Sequence, residues 1–191
     1  MSDSKSYGGF SVISTVKDGS YAQHAAEFRA ALATGKYDVE HSYMSDSGAY
    51  VLFEKGHNFQ AEEVEAAKVM ADSGIIVKLT PENDISFASA KDPKGNPKYT
   101  DGKLSVHTYE QRTPNKINER GADHTVNSAL RHAASKNADV AVIYDKSGLL
   151  HRGDIQRGIQ RYESYHQNKH RFKAVVVVSQ QGKVYEWQHT R

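Results

Sequence analysis

The feature that most constrains this chain is a helical stripe running directly into a short apolar strand. Val126, Ala129, Leu130, Ala133 and Ala134 recur at i, i+3, i+4, i+7 and i+8, which puts all five on one side of a helix. The run Val140–Tyr144 follows and stops at the turn cluster Asp145-Lys146-Ser147-Gly148, a length and composition that fit a strand. An amphipathic helix and a strand this apolar must each be covered by another layer. The chain is therefore predicted to fold as an α+β domain.

The remaining elements read in the same way. Ile155, Ile159 and Tyr162 outline a second amphipathic helix, and Phe172–Ser179 with Lys183–Gln188 flank Gln180-Gln181-Gly182 as a closing hairpin. Upstream, Val64, Ala67 and Ala71 mark a helix that begins near Phe59 and ends at Gly74. Its acids Glu62, Glu63 and Glu65 lie in the half where the helix dipole favours them. Ile75–Thr80 and Ile85–Ser89 are predicted strands around the turn Pro81-Glu82-Asn83-Asp84, and Lys91–Lys98 is a predicted surface loop. Leu104–Arg112 alternates as one strand and ends at Thr113-Pro114, because proline cannot donate to a ladder. Asp123 is the predicted cap of the striped helix.

Nearer the N-terminus, residues 2–9 read as a flexible lead-in and Phe10–Val16 as a first short strand. Tyr21, Ala25, Phe28 and Leu32 recur at helical spacing between a capping Ser20 and a terminating Gly35. Tyr37–Met44 and Ala49–Lys55 flank Ser45-Asp46-Ser47-Gly48 as a hairpin. The organisation predicted is a small α+β extension over residues 1–56 joined to a main α+β domain over residues 57–191.

Composition narrows the function classes. At 191 residues one core suffices, and the longest apolar run, Ala174–Val178, is far short of the roughly 20 residues of a membrane-spanning helix, so no membrane partner is expected. The lack of cysteine excludes disulfides, thiolate nucleophiles and thiolate metal sites, and is compatible with a reducing cytosol. Any metal falls to His, Asp or Glu. There is no Gly-x-Ser-x-Gly turn and no phosphate-binding loop, since Gly153 and Gly158 fall within a predicted helix. The net charge of +2 conceals an asymmetry: residues 151–191 hold eight Lys or Arg against Asp154, Glu163 and Glu186, leaving 17 basic and 20 acidic residues elsewhere. Such a segment is either a nucleic-acid footprint or a solvated basic face.

Several local patterns carry a resemblance. Glu65-Ala66-Ala67-x-x-Met70-Ala71-x-x-Gly74-Ile75-x-Val77-x-Leu79, then Lys98-Tyr99-Thr100-Asp101-Gly102, then Glu110-Gln111-Arg112-Thr113-Pro114, then Ala133-x-x-x-Asn137-Ala138-Asp139 before a Val-Ala-Val-Ile strand, occur in that order. This order, with the closing hairpin, resembles the tRNase-type nuclease domains of contact-dependent growth inhibition toxins over roughly residues 59–189. Related domains are also attached to phage head-assembly and other mobile-element proteins. The resemblance implies a mixed central sheet flanked by helices, RNA, tRNA in particular, as substrate, and an immunity protein or a phage structural protein as partner. It further implies a cytoplasmic site of action, with a virion or a secreted protein as carrier. One departure stands out: a Glu-x-Lys strand in the family is Glu110-Gln111-Arg112 here, and arginine, unlike lysine, is effectively never neutral.

The candidate site follows from strand geometry. With a period of two, Val106, Thr108, Glu110 and Arg112 share a face, and Asp101 precedes them at a predicted turn. Asp101 and Glu110 are thus candidate ligands for Mg²⁺, which two carboxylates can hold against a phosphate. The competing reading has Asp101 capping a turn and Glu110 paired with Arg112 or with a neighbouring strand. A metal-free ribonuclease needs a base, an acid and a cation for the phosphate, and His107, on the opposite face with Tyr109, is nominated for these roles together with Tyr109, His151 and Arg152. Arg152, Arg157, Arg161, Lys169 and Arg171 form the strongest basic cluster and are the candidate nucleic-acid contacts, with Tyr162, Tyr165 and Trp187 either stacking on bases or packed in the core. Three functions remain in view: an RNA phosphodiesterase, a nuclease-like module without catalysis, and an Mg²⁺-dependent DNA nuclease.

Overall fold

Strand Val140–Asp145 is buried along its whole length, and the rest of the molecule is arranged around its two faces. The computed structural model describes residues 10–188, so the lead-in at residues 2–9 lies outside them. In chain order the elements are α1 (Tyr21–Ala33), β1 (Tyr43–Met44), β2 (Tyr50–Phe53), α2 (Ala61–Asp72), β3 (Val77–Leu79), a 3-10 turn (Ile85–Phe87) and β4 (Ala88–Lys91). Then follow β5 (Pro97–Tyr99), β6 (Gly102–Leu104), β7 (His107–Arg112), α3 (Ala122–Ser135), β8 (Val140–Asp145), α4 (Arg152–Ser164), β9 (Ala174–Ser179) and β10 (Val184–Gln188). Eight strands form one mixed sheet in the order β1-β2-β3-β6-β7-β8-β9-β10, while β4 and β5 make a separate two-stranded ribbon. The β2–β3, β7–β8 and β8–β9 pairs are parallel and the others antiparallel. This is the α+β class, a mixed sheet flanked by helices.

Alternation along the strands divides the core in two. Val140, Val142 and Tyr144 point to the α2 side, where they join Val64, Ala67, Met70, Val77 and Tyr109. Ala141 and Ile143 point the other way, into a second core with Val126, Leu130, Ala133, Ile155 and Tyr162 from α3 and α4. The stripe read from the sequence is the buried face of α3. Helix α4 crosses α3 closely enough that a Cβ at Gly158 would lie 2.3 Å from Val126 Cβ, so this glycine serves helix packing. Segment 10–56 contributes Ile13, Ala49, Val51 and Phe53 to the α2-side core, and β2 joins the main sheet through β3. Among the described residues no helix is long and apolar enough to cross a membrane.

Four local expectations are corrected. Phe10–Val16 forms no strand: its amides are used individually, Val12 and Ile13 donating to the Glu186 carboxylate at 2.9 and 3.1 Å and Val16 to the Gly74 carbonyl at 2.8 Å. Ile85–Ser89 starts as a 3-10 turn because the Asp84 carboxylate accepts from the Ser86 amide at 2.9 Å. Leu104–Arg112 is two strands, since Ser105 takes a left-handed φ of 56° and Val106 sits in the reversal, 76% exposed. Helix α3 begins after Gly121 at φ 121°, leaving the Asp123 carboxylate to pair with Arg161.

Candidate functional site

The end of β7 and the start of α2 frame an open cleft whose far wall is α3. Its lining includes Asp101, Glu110 and Arg112, together with Glu63, His132 and Lys136. Asp101 reaches it because its backbone is locked into the sheet: its amide donates to the Tyr109 carbonyl at 3.1 Å and its carbonyl accepts from Thr80 at 3.0 Å. The next residue must be glycine, since a Cβ at Gly102 would fall 1.9 Å from the Lys78 carbonyl oxygen. Strands β3 and β6 can approach this closely only there.

Asp101 and Glu110 are each 3% exposed, so two carboxylates are buried at one place. Asp101 Oδ2 accepts from the Gln111 amide at 2.7 Å. Burial first, then the Glu110 and Glu63 carboxylates, push the Asp101 carboxyl well above the usual carboxylate range. Glu110 Oε1 lies 2.7 Å from Lys136 Nζ and 2.8 Å from His132 Nε2. Burial alone would lower the Lys136 ammonium, but Glu110, followed by Asp101 and Glu82, outweighs it and holds the group above its ordinary value. Lys136 therefore stays charged.

Three consecutive residues of β7 hold buried polar atoms without a hydrogen-bond partner among the described residues: Tyr109 Oη, Glu110 Oε2 and Gln111 Oε1. Buried unpaired polar atoms are uncommon, and alternation separates these three: Tyr109 points into the α2-side core, whereas Glu110 faces α3. Glu110 Oε2 fits a cation, being a carboxylate oxygen that no side chain among the described residues claims. Among the described residues no group of three His, Asp or Glu side chains is gathered for a metal ion. Asp101 and Glu110 share the cleft lining with Glu62, Glu63 and Glu82.

At the acidic wall, His57 is buried between Thr80 and Glu63. Nδ1 lies 2.8 Å from the Thr80 carbonyl oxygen and Nε2 2.8 Å from Glu63 Oε2. The carbonyl only accepts, as does an ionised carboxylate, so this geometry favours the imidazolium form, in which both ring nitrogens donate. Desolvation opposes that charge, but the bonds to Glu63 and Thr80 prevail and raise the ring above its ordinary value.

The residues nominated from sequence distribute unevenly. Asp101, Glu110 and Arg112 meet in the cleft, with Arg112 exposed at its rim and Glu110 paired to α3 rather than to Arg112. His107 opens β7 outside the cleft lining, 3.9 Å from Asp139. The basic cluster is not in the lining either: Arg157 pairs with Asp154 at 2.6 Å, Arg161 with Asp123 at 2.8 Å, and Arg171 donates to the Asn168 carbonyl. Arg152 and Lys169 also lie outside it. Tyr162 is core, its hydroxyl donating to the His170 carbonyl at 2.9 Å. Sequence reasoning missed Lys136, His132 and Glu63, whose roles arise only when α2 and α3 fold against β7.

Comparisons with known proteins add little. No family model and no curated protein matches the sequence. A chain of the CdiA-CT/CdiI toxin and immunity complex from Burkholderia pseudomallei is similar at a TM-score of 0.49 and 15% identity, covering 72% of this chain and 98% of that one.

Proposed function

We propose that the protein is a nuclease, a phosphodiesterase that cleaves RNA, tRNA in particular, and acts as a toxin or toxin-derived domain countered by an immunity protein. The observation that carries the enzymatic part is the buried Asp101–Glu110 pair facing an open cleft beside a charged lysine, with Glu110 Oε2 left unpaired. The RNA and toxin parts rest on the motif order over residues 59–189.

Asp101 and Glu110 would hold Mg²⁺, which when bound supplies Lewis-acid stabilisation of charge on the phosphate oxygens. The protein's own groups do the rest. Lys136 Nζ keeps a full positive charge beside Glu110 and offers N–H donors to a phosphate drawn toward the carboxylates. Arg112 stands at the rim, where a planar guanidinium can grip a phosphate through two hydrogen bonds. His132 Nε2 holds a proton against Glu110 Oε1 and fixes that carboxylate in place.

Purified protein incubated with total tRNA, with and without Mg²⁺, tests the reading. Cleavage should require Mg²⁺ and disappear in Glu110→Gln and Asp101→Asn. Cleavage of duplex DNA instead would reassign the substrate. A second reading, a nuclease-like interaction module without catalysis, is favoured by the ion pair that occupies Glu110 Oε1. It predicts no cleavage under either condition and no growth inhibition on expression.

A further inference from the structure

The β4–β5 ribbon grows out of the candidate site at both ends. Its second strand runs through Tyr99 and Thr100 straight into Asp101. Its first strand is pinned to α3: Ser89 Oγ donates to the Lys136 carbonyl at 2.6 Å, and Lys136 is the residue whose ammonium meets Glu110. The tip is organised by Asp92, whose carboxylate accepts from the Lys94 and Asn96 amides at 2.8 Å each. This is a defined arm standing beside the cleft.

The arm is basic on both sides. Lys98 is paired with Ala90 and Lys91 with Pro97, so alternation sends these two lysines to opposite faces, while Lys94 lies at the exposed tip. At its foot, Lys78 and Lys103 stand directly opposite each other across the β3–β6 ladder. Register and alternation place both on the sheet face that carries Glu110. Like charges directly opposed on a ladder destabilise it, and the Glu54 carboxylate, which interacts with both lysines, offsets part of that cost. The α4 cluster differs: Arg157 and Arg161 are already engaged with Asp154 and Asp123.

We propose that the β4–β5 arm, with the Lys78–Lys103 pair at its foot, is the surface that grips the phosphate backbone of the nucleic acid and leads it past Asp101 and Glu110. The inference rests on the nuclease reading for where the strand is led, but gripping is measurable without cleavage. Phosphates on either side of the arm would meet Lys91 on one face and Lys98 on the other. An acidic protein is the competing partner for the same charges.

The experiment is a salt titration of fluorescently labelled tRNA binding, followed by anisotropy in EDTA from 50 to 200 mM KCl. It compares wild type, Lys91→Gln/Lys94→Gln/Lys98→Gln and Arg157→Gln/Arg161→Gln. Each lost phosphate contact lowers the slope of log affinity against log salt by about 0.7–0.9, so the triple variant should lose about 2–3 units of slope. Over that fourfold salt range, wild type should then weaken about 20- to 40-fold more than the triple variant. The arginine variant should parallel wild type. An unchanged slope in the triple variant overturns the proposal, as does a wild type that fails to bind tRNA at 50 mM KCl. Wild type that binds through the arm yet cleaves nothing in Mg²⁺ leaves the gripping surface standing and removes the catalytic reading alone.

Discussion

Replacing Lys136 with methionine isolates the energetic core of the site. Methionine keeps much of the apolar stem while deleting the ammonium that lies 2.7 Å from Glu110 Oε1. Glu110, 3% exposed, is then left among the described residues with the His132 ring as its side-chain partner and with Oε2 still unpaired. Breaking a buried ion pair by removing one partner costs about 3–5 kcal/mol. Lys136 retains 22% side-chain exposure and His132 remains, so the loss belongs at or below the lower end, about 2–3 kcal/mol. For a chain of this length that corresponds to a fall in Tm of about 4–12 °C.

The assay is urea denaturation followed by far-ultraviolet circular dichroism for wild type, Lys136→Met, Glu110→Gln and the double variant. Much of the single-variant cost is an uncompensated buried charge. The double variant, which has neither charge, should therefore recover about 1 kcal/mol or more over Lys136→Met. A Lys136→Met protein within about 0.5 kcal/mol of wild type would refute the argument. So would strictly additive losses in the double variant, because they would mean that the two groups do not act as a pair.

Three further outcomes are expected. Gly102→Ala drives a Cβ into the Lys78 carbonyl, so it should cost about 3 kcal/mol or more and separate β3 from β6 next to Asp101; a variant with the wild-type melting curve would show that the strands can part freely. His57→Gln should cost about 2 kcal/mol at pH 6 and less at pH 9, as read from Tm at each pH. The sign follows from a ring held above its ordinary value: its stabilisation is complete below the unfolded pKa and is lost as pH rises through the folded one, so a pH-independent difference in Tm would remove the imidazolium. Arg112 is exposed, so Arg112→Lys and Arg112→Met should both melt within about 2 °C of wild type, while Arg112→Lys retains most tRNA cleavage and Arg112→Met loses it; equal cleavage by all three would take Arg112 out of the mechanism.

Elements whose stability comes from their own pattern were legible in the sequence. The α3 stripe and the apolar run of β8 are each continuous, and the structure buries them as the pattern requires. Elements decided by a partner far along the chain were not. Phe10–Val16 has strand-like composition, but its amides are claimed by Glu186 and Gly74, which no local window contains. The single strand read over Leu104–Arg112 fails at Ser105, a lone turn-forming residue between Leu104 and Val106 that takes a left-handed conformation. There β6 must reverse to let β7 pair with both β6 and β8.

The site divides along the same line. Asp101 and Glu110 are close in sequence, and a turn just before the strand was enough to suggest that they meet; the reversal between β6 and β7 then sets Asp101, which immediately precedes β6, beside the end of β7. Lys136 was hidden because its helix is recognised by its apolar residues, and a lysine beside that stripe reads as solvated surface. A signal was present nonetheless: His132 and Lys136 are four residues apart, so they share one helical face, flanking the buried stripe and turned toward β7. That placement also changes the meaning of Arg112. Along β7 the pattern is Glu110-Gln111-Arg112; in three dimensions the ammonium beside Glu110 comes from α3, and Arg112 stands exposed at the rim of the cleft. Under the proposed nuclease reading, the arginine is then no sign of a decayed site, because a lysine ammonium stands beside Glu110 from the facing helix.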